Sequence, residues 1–309
     1  MERDLKRSKS CNRKDRIMKE QKYIIKNIKS FAPKQIFECG QCFRWNKEED
    51  NSYTGIVKNN VINVKKIGEE IIVKSIGEDN IEKLCIQYFD LDTNYEKIKD
   101  KLSNVDKYLE ESVKFGSGIR ILNQDTWETL ISFIISANNN IPRIKGIIEK
   151  ISEKYGNEIP YKDKKYYTFP TPEQLGKASV KELRNMGLGF RDERVFETTQ
   201  MVLKNEIDLE KIKNEKNINS AKEQLLKFPG VGPKVADCIM LFSMQKKQVF
   251  PIDVWIRRVM NNLYINKNDE NKVKNEEILK IVNEKYKEFA GIAQQYLFYW
   301  IRETKLNNA

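Results

Sequence analysis

Two residues in this sequence have the types and settings for chemistry, Lys234 and Asp253. Lys234 stands in FPGVGPKVADC, where a Gly-Val-Gly turn and a proline precede an apolar-periodic run, so the lysine is predicted in the first turn of a helix. The helix dipole and any burial disfavour an ammonium there, and we expect the pKa of Lys234 to be lowered. A partly neutral lysine can attack a sugar carbon and form a Schiff base. The alternative is a lysine that only contacts phosphate.

Asp253 stands in QVFPIDVWIRRV, after a proline and before an apolar-periodic run. This is the position of a helix N-cap, and most aspartates in such positions are only caps. A capped carboxylate is nevertheless ionised and fixed in place, which suits the stabilisation of a developing oxocarbenium sugar. A hairpin lysine followed by a proline-led aspartate is a more specific signal than either residue alone.

The segment before Lys234 predicts two helices joined by a hairpin. Residues 220–223 (SAKE) have the pattern of a capping box that starts a short helix, and Pro229 ends it. Gly230 and Gly232 permit a tight turn with positive φ. We expect the backbone N–H groups of Gly230, Val231 and Gly232 to point outward and bind a phosphate group. The alternative is a helix–helix turn that needs glycine and nothing else.

The overall charge is consistent with a polyanionic partner. The chain has 309 residues and a formal net charge of +11, with a pI of about 9.2. Such a balance favours nucleic acid as the partner. A lysine-rich chain could also reflect biased codon usage, and charge alone does not separate these readings.

The residue inventory excludes several kinds of site. The chain has no histidine, which rules out a Ser-His-Asp triad and a histidine-bound zinc. Cys39 and Cys42 are spaced like half a zinc site or a redox pair. The chain has no second CxxC and no histidine to complete a tetrahedral zinc site, and no cysteine follows Cys238 to hold an iron–sulfur cluster. We interpret Cys39 and Cys42 as structural and expect no metal and no cofactor. Five scattered cysteines, without a membrane-length apolar run or a signal peptide, predict an intracellular protein.

The hydrophobic pattern changes once along the chain. Short β-branched runs lie between about Phe37 and Ser75, with turns at Asn59-Asn60 and Gly68-Glu69, and helical spacing begins at about Ile81 and continues to the end. This order predicts an α+β fold with an N-terminal antiparallel β-sheet domain packed on an all-helical helix–hairpin–helix body. The predicted parts are a basic arm (1–20), the sheet domain with short helices (21–115) and the helical body (116–309) with its hairpin (228–233).

The segments around these residues resemble a known family. FPGVGPKVADC and VFPIDV resemble the helix–hairpin–helix and aspartate signature of base-excision DNA glycosylases, and GQCFRW, SANNNIPRI, MGLGFRDERV and GIAQQYLFYW resemble the 8-oxoguanine DNA glycosylase/lyase family. The likeness spans about residues 30–302. It implies a monomeric enzyme that flips 8-oxoguanine out of duplex DNA, preferably opposite C, displaces it through a Lys234 Schiff base, and nicks the strand by β-elimination. In a prokaryote it would act in the cytoplasm or nucleoid, and in a eukaryote in the nucleus.

The resemblance assigns a role to each residue of a base pocket. Lys234 matches the family's nucleophile, and Asp253 matches the family's aspartate. Cys238, one helical turn after Lys234, matches one wall of the base pocket. Phe298 matches the aromatic that stacks on the flipped base, and Gln294 matches the glutamine that reads its Watson–Crick edge. Gly40 matches the glycine whose carbonyl accepts from the N7–H of 8-oxoguanine. Without the resemblance, Cys238 and Phe298 would be ordinary core residues and Gly40 a strand-edge glycine.

A second set is implied at the duplex. Asn138, Arg143 and Arg191 match residues that hold the orphaned cytosine, and Phe190 matches an aromatic that wedges into the vacated stack. Helix caps and a turn would by themselves account for the three asparagines of residues 138–140.

Three positions depart from the family pattern and bear on substrate preference. Cys42 replaces a serine beside the expected pocket, Phe242 takes a pocket-side position that usually holds methionine, and Trp255 replaces a histidine near the DNA backbone of eukaryotic members. Two other functions therefore stay open: a helix–hairpin–helix glycosylase for another oxidised base, such as a pyrimidine, and a non-catalytic DNA-binding module.

Overall fold

The computed structural model describes residues 19–77 and 79–306, with the backbone alone for residues 305 and 306. Of the predicted basic arm, residues 1–18 lie outside the described residues. No helix in the described ranges is long and apolar enough to cross a membrane.

The N-terminal part forms a five-stranded antiparallel sheet, which confirms the predicted architecture. Its strands are β1 (Gln21–Ile25), β2 (Trp45–Lys47), β3 (Tyr53–Val57), β4 (Asn60–Ile67) and β5 (Glu70–Ile76), in the order β1-β5-β4-β3-β2. The turn at Gly68-Glu69 is as predicted, whereas the turn between β3 and β4 is one residue earlier than predicted, at Lys58-Asn59. Sequence reasoning missed β1, which forms an edge strand on β5.

Aromatic rings fill the core on one face of the sheet. Phe37 stacks on Trp45 with ring centroids 3.9 Å apart, and the Trp45 indole N–H donates to the Tyr88 hydroxyl at 2.8 Å. Gly55 lies under the Trp45 ring, where an added Cβ would approach the indole to 2.5 Å. The sheet therefore requires glycine at residue 55 because the tryptophan occupies the space of a side chain.

Helices make up most of the remaining chain. They are α1 (Pro33–Glu38), α2 (Ile81–Tyr88), α3 (Tyr95–Ser103), α4 (Lys107–Phe115), α5 (Thr126–Ser136), α6 (Ile141–Tyr155), α7 (Pro172–Leu175), α8 (Val180–Leu183), α9 (Asp192–Leu203), α10 (Leu209–Asn214), α11 (Ile218–Leu225), α12 (Pro233–Ser243), α13 (Val254–Met260), α14 (Asn275–Lys285) and α15 (Ala290–Leu306). The centre is α5, which is apolar on most of its surface and packs against α12, α6 and α9.

Two features of the helical body were not predicted. The expectation of helices throughout after Ile81 is wrong at the hairpin of β6 (Glu158–Tyr161) and β7 (Lys164–Tyr167). There Ile159 and Tyr161 are buried, alternate with the exposed residues Glu158 and Pro160, and pack on Val61 of the sheet, so the period is that of a strand. In addition, α3 and α4 share the core of the helical body, and α4 packs against α15.

The helix before the glycine hairpin begins earlier than predicted. The capping box at residues 220–223 is not formed, because α11 starts at Ile218 and its N-cap is Asn217, whose side chain accepts from the Ser220 N–H. An asparagine cap satisfies the same orphan donor as a serine cap, and the sequence offers both. The ion pair of Lys222 with Asp237, at 2.8 Å, then ties α11 to α12.

Lys222→Met tests how much this ion pair contributes to the fold. Burial raises the pKa of Asp237 to about 6, so above that pH its ionisation costs the folded protein free energy, part of which Lys222 offsets. At about pH 8 we expect the substitution to lower the free energy of unfolding by about 1–3 kcal/mol. At about pH 4.5 we expect a much smaller loss, because Asp237 is then neutral in the folded protein and offers Lys222 no negative charge to pair with.

Urea denaturation at the two pH values measures the difference. Lys227→Met removes an exposed lysine just beyond α11 and serves as the control for charge alone. In an Asp237→Asn background, the effect of Lys222→Met should lose its pH dependence. A loss of the same size at both pH values would contradict the role given to the pair.

Candidate active site

A cavity of about 690 Å³ opens where the C-terminal end of α5, the first turns of α12 and α13, and α15 meet. It brings together most of the residues predicted for the site. They are Gly40, Asn138, Lys234, Cys238, Phe242, Asp253, Gln294 and Phe298. These residues come from segments far apart in the chain, so the cavity exists only in the folded protein.

Lys234 lies in the first turn of α12, as predicted, with its ammonium 5.3 Å from the centre of the Phe133 ring. The expectation of a lowered pKa is wrong. The pKa of Lys234 is raised, because Cys238 and then the Asp253 carboxylate favour the ammonium more than burial disfavours it. Burial itself raises the pKa of the Cys238 thiol to about 11. The lysine of the free protein is therefore charged.

Asp253 is the N-cap of α13, as predicted. Its side chain accepts from the Ile256 N–H at 2.8 Å, which fixes the carboxylate at the edge of the cavity. The next two residues, Val254 and Trp255, are exposed at the mouth of the cavity. The cap accounts for the position of the carboxylate, and its partnership with Lys234 gives it a second electrostatic role.

Aromatic side chains form the walls of the cavity. Phe242 is buried and stacks on Phe133 with ring centroids 5.6 Å apart. Gly40 has a φ of +87°, and a Cβ added there would come within 3.3 Å of the Phe298 ring. Both the backbone conformation and the neighbouring ring therefore require glycine at residue 40, and its backbone can lie directly against a bound planar group.

Two glutamines lie side by side at the cavity. Gln294 and Gln295 are both buried, and the Gln295 Nε2 group donates to Gln294 Oε1 at 2.8 Å. Gln294 lines the cavity, and its carbonyl oxygen already accepts one hydrogen bond.

The asparagines after α5 combine structural and cavity-lining positions. Asn140 is the N-cap of α6 and accepts from the Arg143 N–H, and the Asn139 amide donates to the Ile135 carbonyl. Asn138 has a φ of +49° and lines the cavity. The capping interpretation is thus right for Asn140, whereas Asn138 lies where a ligand could reach it.

Three other predicted residues do not line the cavity: Phe190 and Arg143 are on the adjoining surface, and Arg191 is buried next to them. Phe190 is 54% exposed, and Arg143 is exposed with its guanidinium donating to the Gly187 carbonyl at 3.0 Å. Arg191 is 3% exposed and donates to the carbonyls of Ala137, Leu188 and Asn138. Arg191 therefore holds the asparagine loop against the Phe190 turn, and its predicted contact with an orphaned base stays a prediction.

The glycine hairpin differs in detail from the prediction. Gly230 has a φ of +83°, as expected, but Gly232 has a φ of −91° and is the N-cap of α12. The Val231 N–H donates to the Phe228 carbonyl within the turn, and the Val231 side chain is buried. Val231 is therefore not free to donate to a phosphate. The hairpin retains the N–H groups of Gly230 and Gly232 and those of the first turn of α12 for such a contact.

Several residues at the site were missed by sequence reasoning. Phe133 underlies Lys234, Gln295 holds Gln294, and the Arg194 guanidinium lies 5.1 Å from the Phe190 ring while its side chain packs on Gly230. Phe133 shows in the sequence only as one of many periodic apolar residues.

The three departures from the family pattern lie in different places. Cys42 belongs to the core of the sheet, where its thiol contacts the Phe37 carbonyl, and it does not line the cavity. Phe242 lines the cavity, and Trp255 lies at its mouth with the Arg258 guanidinium 5.5 Å from its ring. Cys39 and Cys42 are buried free thiols, which agrees with their structural interpretation.

Comparison with known proteins gives consistent matches. A family model described as 8-oxoguanine DNA glycosylase, N-terminal domain, matches residues 23–130, and one described as HhH-GPD superfamily base excision DNA repair protein matches residues 131–284. The N-glycosylase/DNA lyase of Saccharomyces cerevisiae is 30% identical over 74% of this chain and 67% of that protein. The probable N-glycosylase/DNA lyase of Methanothermobacter thermautotrophicus is 33% identical over 74% of this chain and 76% of that protein.

Solved structures agree with the sequence matches. The apo-form of Clostridium acetobutylicum 8-oxoguanine glycosylase/lyase is 45% identical, with a TM-score of 0.85 over 91% of this chain and 98% of that chain. The same enzyme with double-stranded DNA containing cytosine opposite 8-oxoguanine is 44% identical, with a TM-score of 0.87 over 94% and 99% of the two chains. With its two-part fold and its lysine–aspartate cavity, the chain belongs to the 8-oxoguanine DNA glycosylase family of the helix–hairpin–helix base-excision repair superfamily.

Proposed function

We propose that the protein is a bifunctional DNA glycosylase and lyase that excises 8-oxoguanine from duplex DNA and then nicks the strand at the abasic site. The observation that carries the proposal is that Lys234 and Asp253, from two different helix N-termini, face the same cavity as Gly40, Gln294 and Phe298. A nucleophile, an anion and the walls of a base-sized cavity are thereby combined in one place. Family membership and a net charge of +11 also support a DNA substrate.

The glycosylase step follows from the charges in the cavity. As the bond between C1′ and the base breaks, its electron pair leaves with the base, and the Asp253 carboxylate stabilises the positive charge that develops on the sugar. Lys234 is charged in the free protein and must lose a proton before it can attack. The departing base leaves as an anion and can accept that proton, after which the neutral amine adds to C1′.

The lyase step uses the same lysine. Opening of the sugar ring turns the adduct into an imine between Lys234 and C1′, which acidifies the proton on C2′. Loss of that proton and departure of the 3′ phosphate break the strand by β-elimination. Hydrolysis of the imine then frees Lys234. We propose that this chemistry takes place inside the cell on chromosomal DNA, with the protein acting as a monomer.

The Lys234→Gln substitution tests the nucleophile directly. An imine to DNA is reduced by borohydride to a stable amine, so the wild-type protein should become cross-linked to a duplex that contains 8-oxoguanine. Lys234→Gln should still bind the duplex, measured by fluorescence anisotropy, but neither cross-link to it nor nick it. Cross-linking at the wild-type level by this variant would rule out Lys234. Duplexes with oxidised pyrimidines, assayed in parallel, test the alternative substrate class.

Asp253→Asn separates the two roles of the aspartate. The Asn side chain keeps an oxygen that can accept from the Ile256 N–H, so the melting temperature should change little. Loss of the negative charge should slow base excision about a hundredfold or more, the scale of removing one preorganised electrostatic group. Single-turnover excision rates measure this effect. Near-wild-type rates in a normally folded variant would mean that Asp253 is only a cap.

The proposed preference for cytosine opposite the lesion rests on Arg143, which is exposed on the surface beside the cavity. Its guanidinium donors suit the acceptor edge of cytosine, whereas adenine presents an amino donor. We expect single-turnover excision opposite C to be favoured over excision opposite A by about 1–3 kcal/mol in the wild-type protein. Arg143→Ala should reduce that preference, whereas Lys150→Ala, which removes an exposed charge further along α6, should not. Equal wild-type rates on the two duplexes would contradict the assignment.

A further inference from the structure

The hydrogen bond between Gln295 and Gln294 is asymmetric. Gln295 Nε2 donates to Gln294 Oε1, while Gln295 Oε1 is buried and has no hydrogen-bond partner in the described part of the chain. Gln295 is 3% exposed and Gln294 is 4% exposed, so water does not freely exchange with these amides. The direction of this bond therefore fixes the orientation of the Gln294 amide, with its carbonyl oxygen facing Gln295.

The reverse arrangement would be less favourable. If Gln294 donated to Gln295, the Gln295 amide would be turned round, and its NH₂ group would occupy the position of the unpaired oxygen. Both N–H donors of the Gln295 amide would then be buried without partners, whereas the observed direction leaves one N–H donor and one acceptor of that amide unpaired among the described residues. Orphaned buried donors are the rarer and costlier case. If Gln294 alone were turned, two NH₂ groups would meet at 2.8 Å. The observed direction is thus the one that the surroundings favour.

The direction of an amide matters for reading a purine. A guanine-type edge presents a carbonyl acceptor beside the N1–H donor, whereas an adenine-type edge presents an amino donor beside the N1 acceptor. A glutamine amide pairs with both groups of one edge in one orientation, and with the other edge only after a half-turn about its last bond. A glutamine that is free to turn therefore reads either edge, and one that is held reads a single edge.

We propose that Gln295 is a positioning residue that holds the Gln294 amide in one orientation and so makes the cavity select a guanine-type edge over an adenine-type edge. The inference rests on the proposed function, in which Gln294 contacts the flipped base. Gln294 Oε1 has two lone pairs and Gln295 occupies one, so an acceptor and both Nε2 protons stay available to the base.

8-Oxoguanine and 8-oxoadenine form a suitable pair of substrates. Both carry the C8 carbonyl and the N7–H, and they differ at the edge that Gln294 would contact. Single-turnover excision rates are measured for both lesions opposite the same base. Each rate is divided by the rate at which the same variant nicks a duplex with an abasic site, which corrects for changes in folding and in Lys234.

Gln295→Met keeps the size of the side chain and removes the donor, so Gln294 can turn. We expect the preference for 8-oxoguanine over 8-oxoadenine to fall about tenfold, the effect of losing one buried hydrogen bond. Gln295→Glu offers only acceptors when ionised, which forces Gln294 to donate to it and reverses the amide. The preference should fall further in Gln295→Glu than in Gln295→Met. Gln87→Met, on the exposed face of α2, is the matched control and should keep the wild-type preference.

The outcomes separate this inference from the proposed function. If Gln294→Met slows excision of 8-oxoguanine while Gln295→Met and Gln295→Glu keep the wild-type preference, the role of Gln295 is wrong and the proposed function stands. If the wild-type protein excises neither lesion, the proposed function fails, and the role of Gln295 fails with it. Should Gln295→Met not fold, Gln295→Ala removes the same donor without adding bulk and is judged by the same ratio.

Discussion

The site depends on two helix N-termini that open on one cavity. The first turns of α12 and α13 both line it, and the positive end of each helix dipole disfavours a cation. Lys234 is nevertheless a cation in this place, because Cys238 and then the Asp253 carboxylate favour the ammonium more than burial disfavours it. The same carboxylate caps α13, so its position is set by backbone hydrogen bonding. One aspartate thus stabilises a helix, an ammonium and, in the proposed reaction, a sugar cation.

The packing around Lys234 follows from this arrangement. Because Phe133 of α5 underlies the ammonium and Phe242 of α12 stacks on Phe133, the central helix pair of the fold directly supports Lys234. Cys238 is one turn along the same face and stays a thiol, since burial raises its pKa to about 11. The lysine is therefore held between an aromatic ring, a thiol and a carboxylate, and its freedom to adopt other positions is limited.

The sequence indicates the central residues of the candidate site better than it indicates the residues that hold them in place. Lys234 and Asp253 carry local signals, because a glycine turn or a helix cap restricts the residue types allowed there, whereas Gly40 was identified only through the family resemblance. The burial of Arg191 and the capture of the Val231 N–H by Phe228 depend on the path of loops, which periodicity does not encode. The β6–β7 hairpin was missed because each strand is only four residues long. The direction of the Lys234 pKa shift was predicted wrongly because the helix start was considered without Cys238 and Asp253.

The exposed apolar residues indicate which face of the molecule meets a partner. Ile141, Val254 and Trp255 line the mouth of the cavity and are 42%, 67% and 43% exposed. Phe190 lies nearby, because its neighbour Arg191 donates to the Asn138 carbonyl. The guanidinium groups of Arg191 and Arg194 are within 5.1 Å of the Phe190 ring. Large exposed hydrophobic groups among basic side chains suit a partner that offers stacked bases inside a shell of phosphates. A purely apolar protein partner would leave these guanidinium groups desolvated and unpaired, so the composition of this face favours nucleic acid.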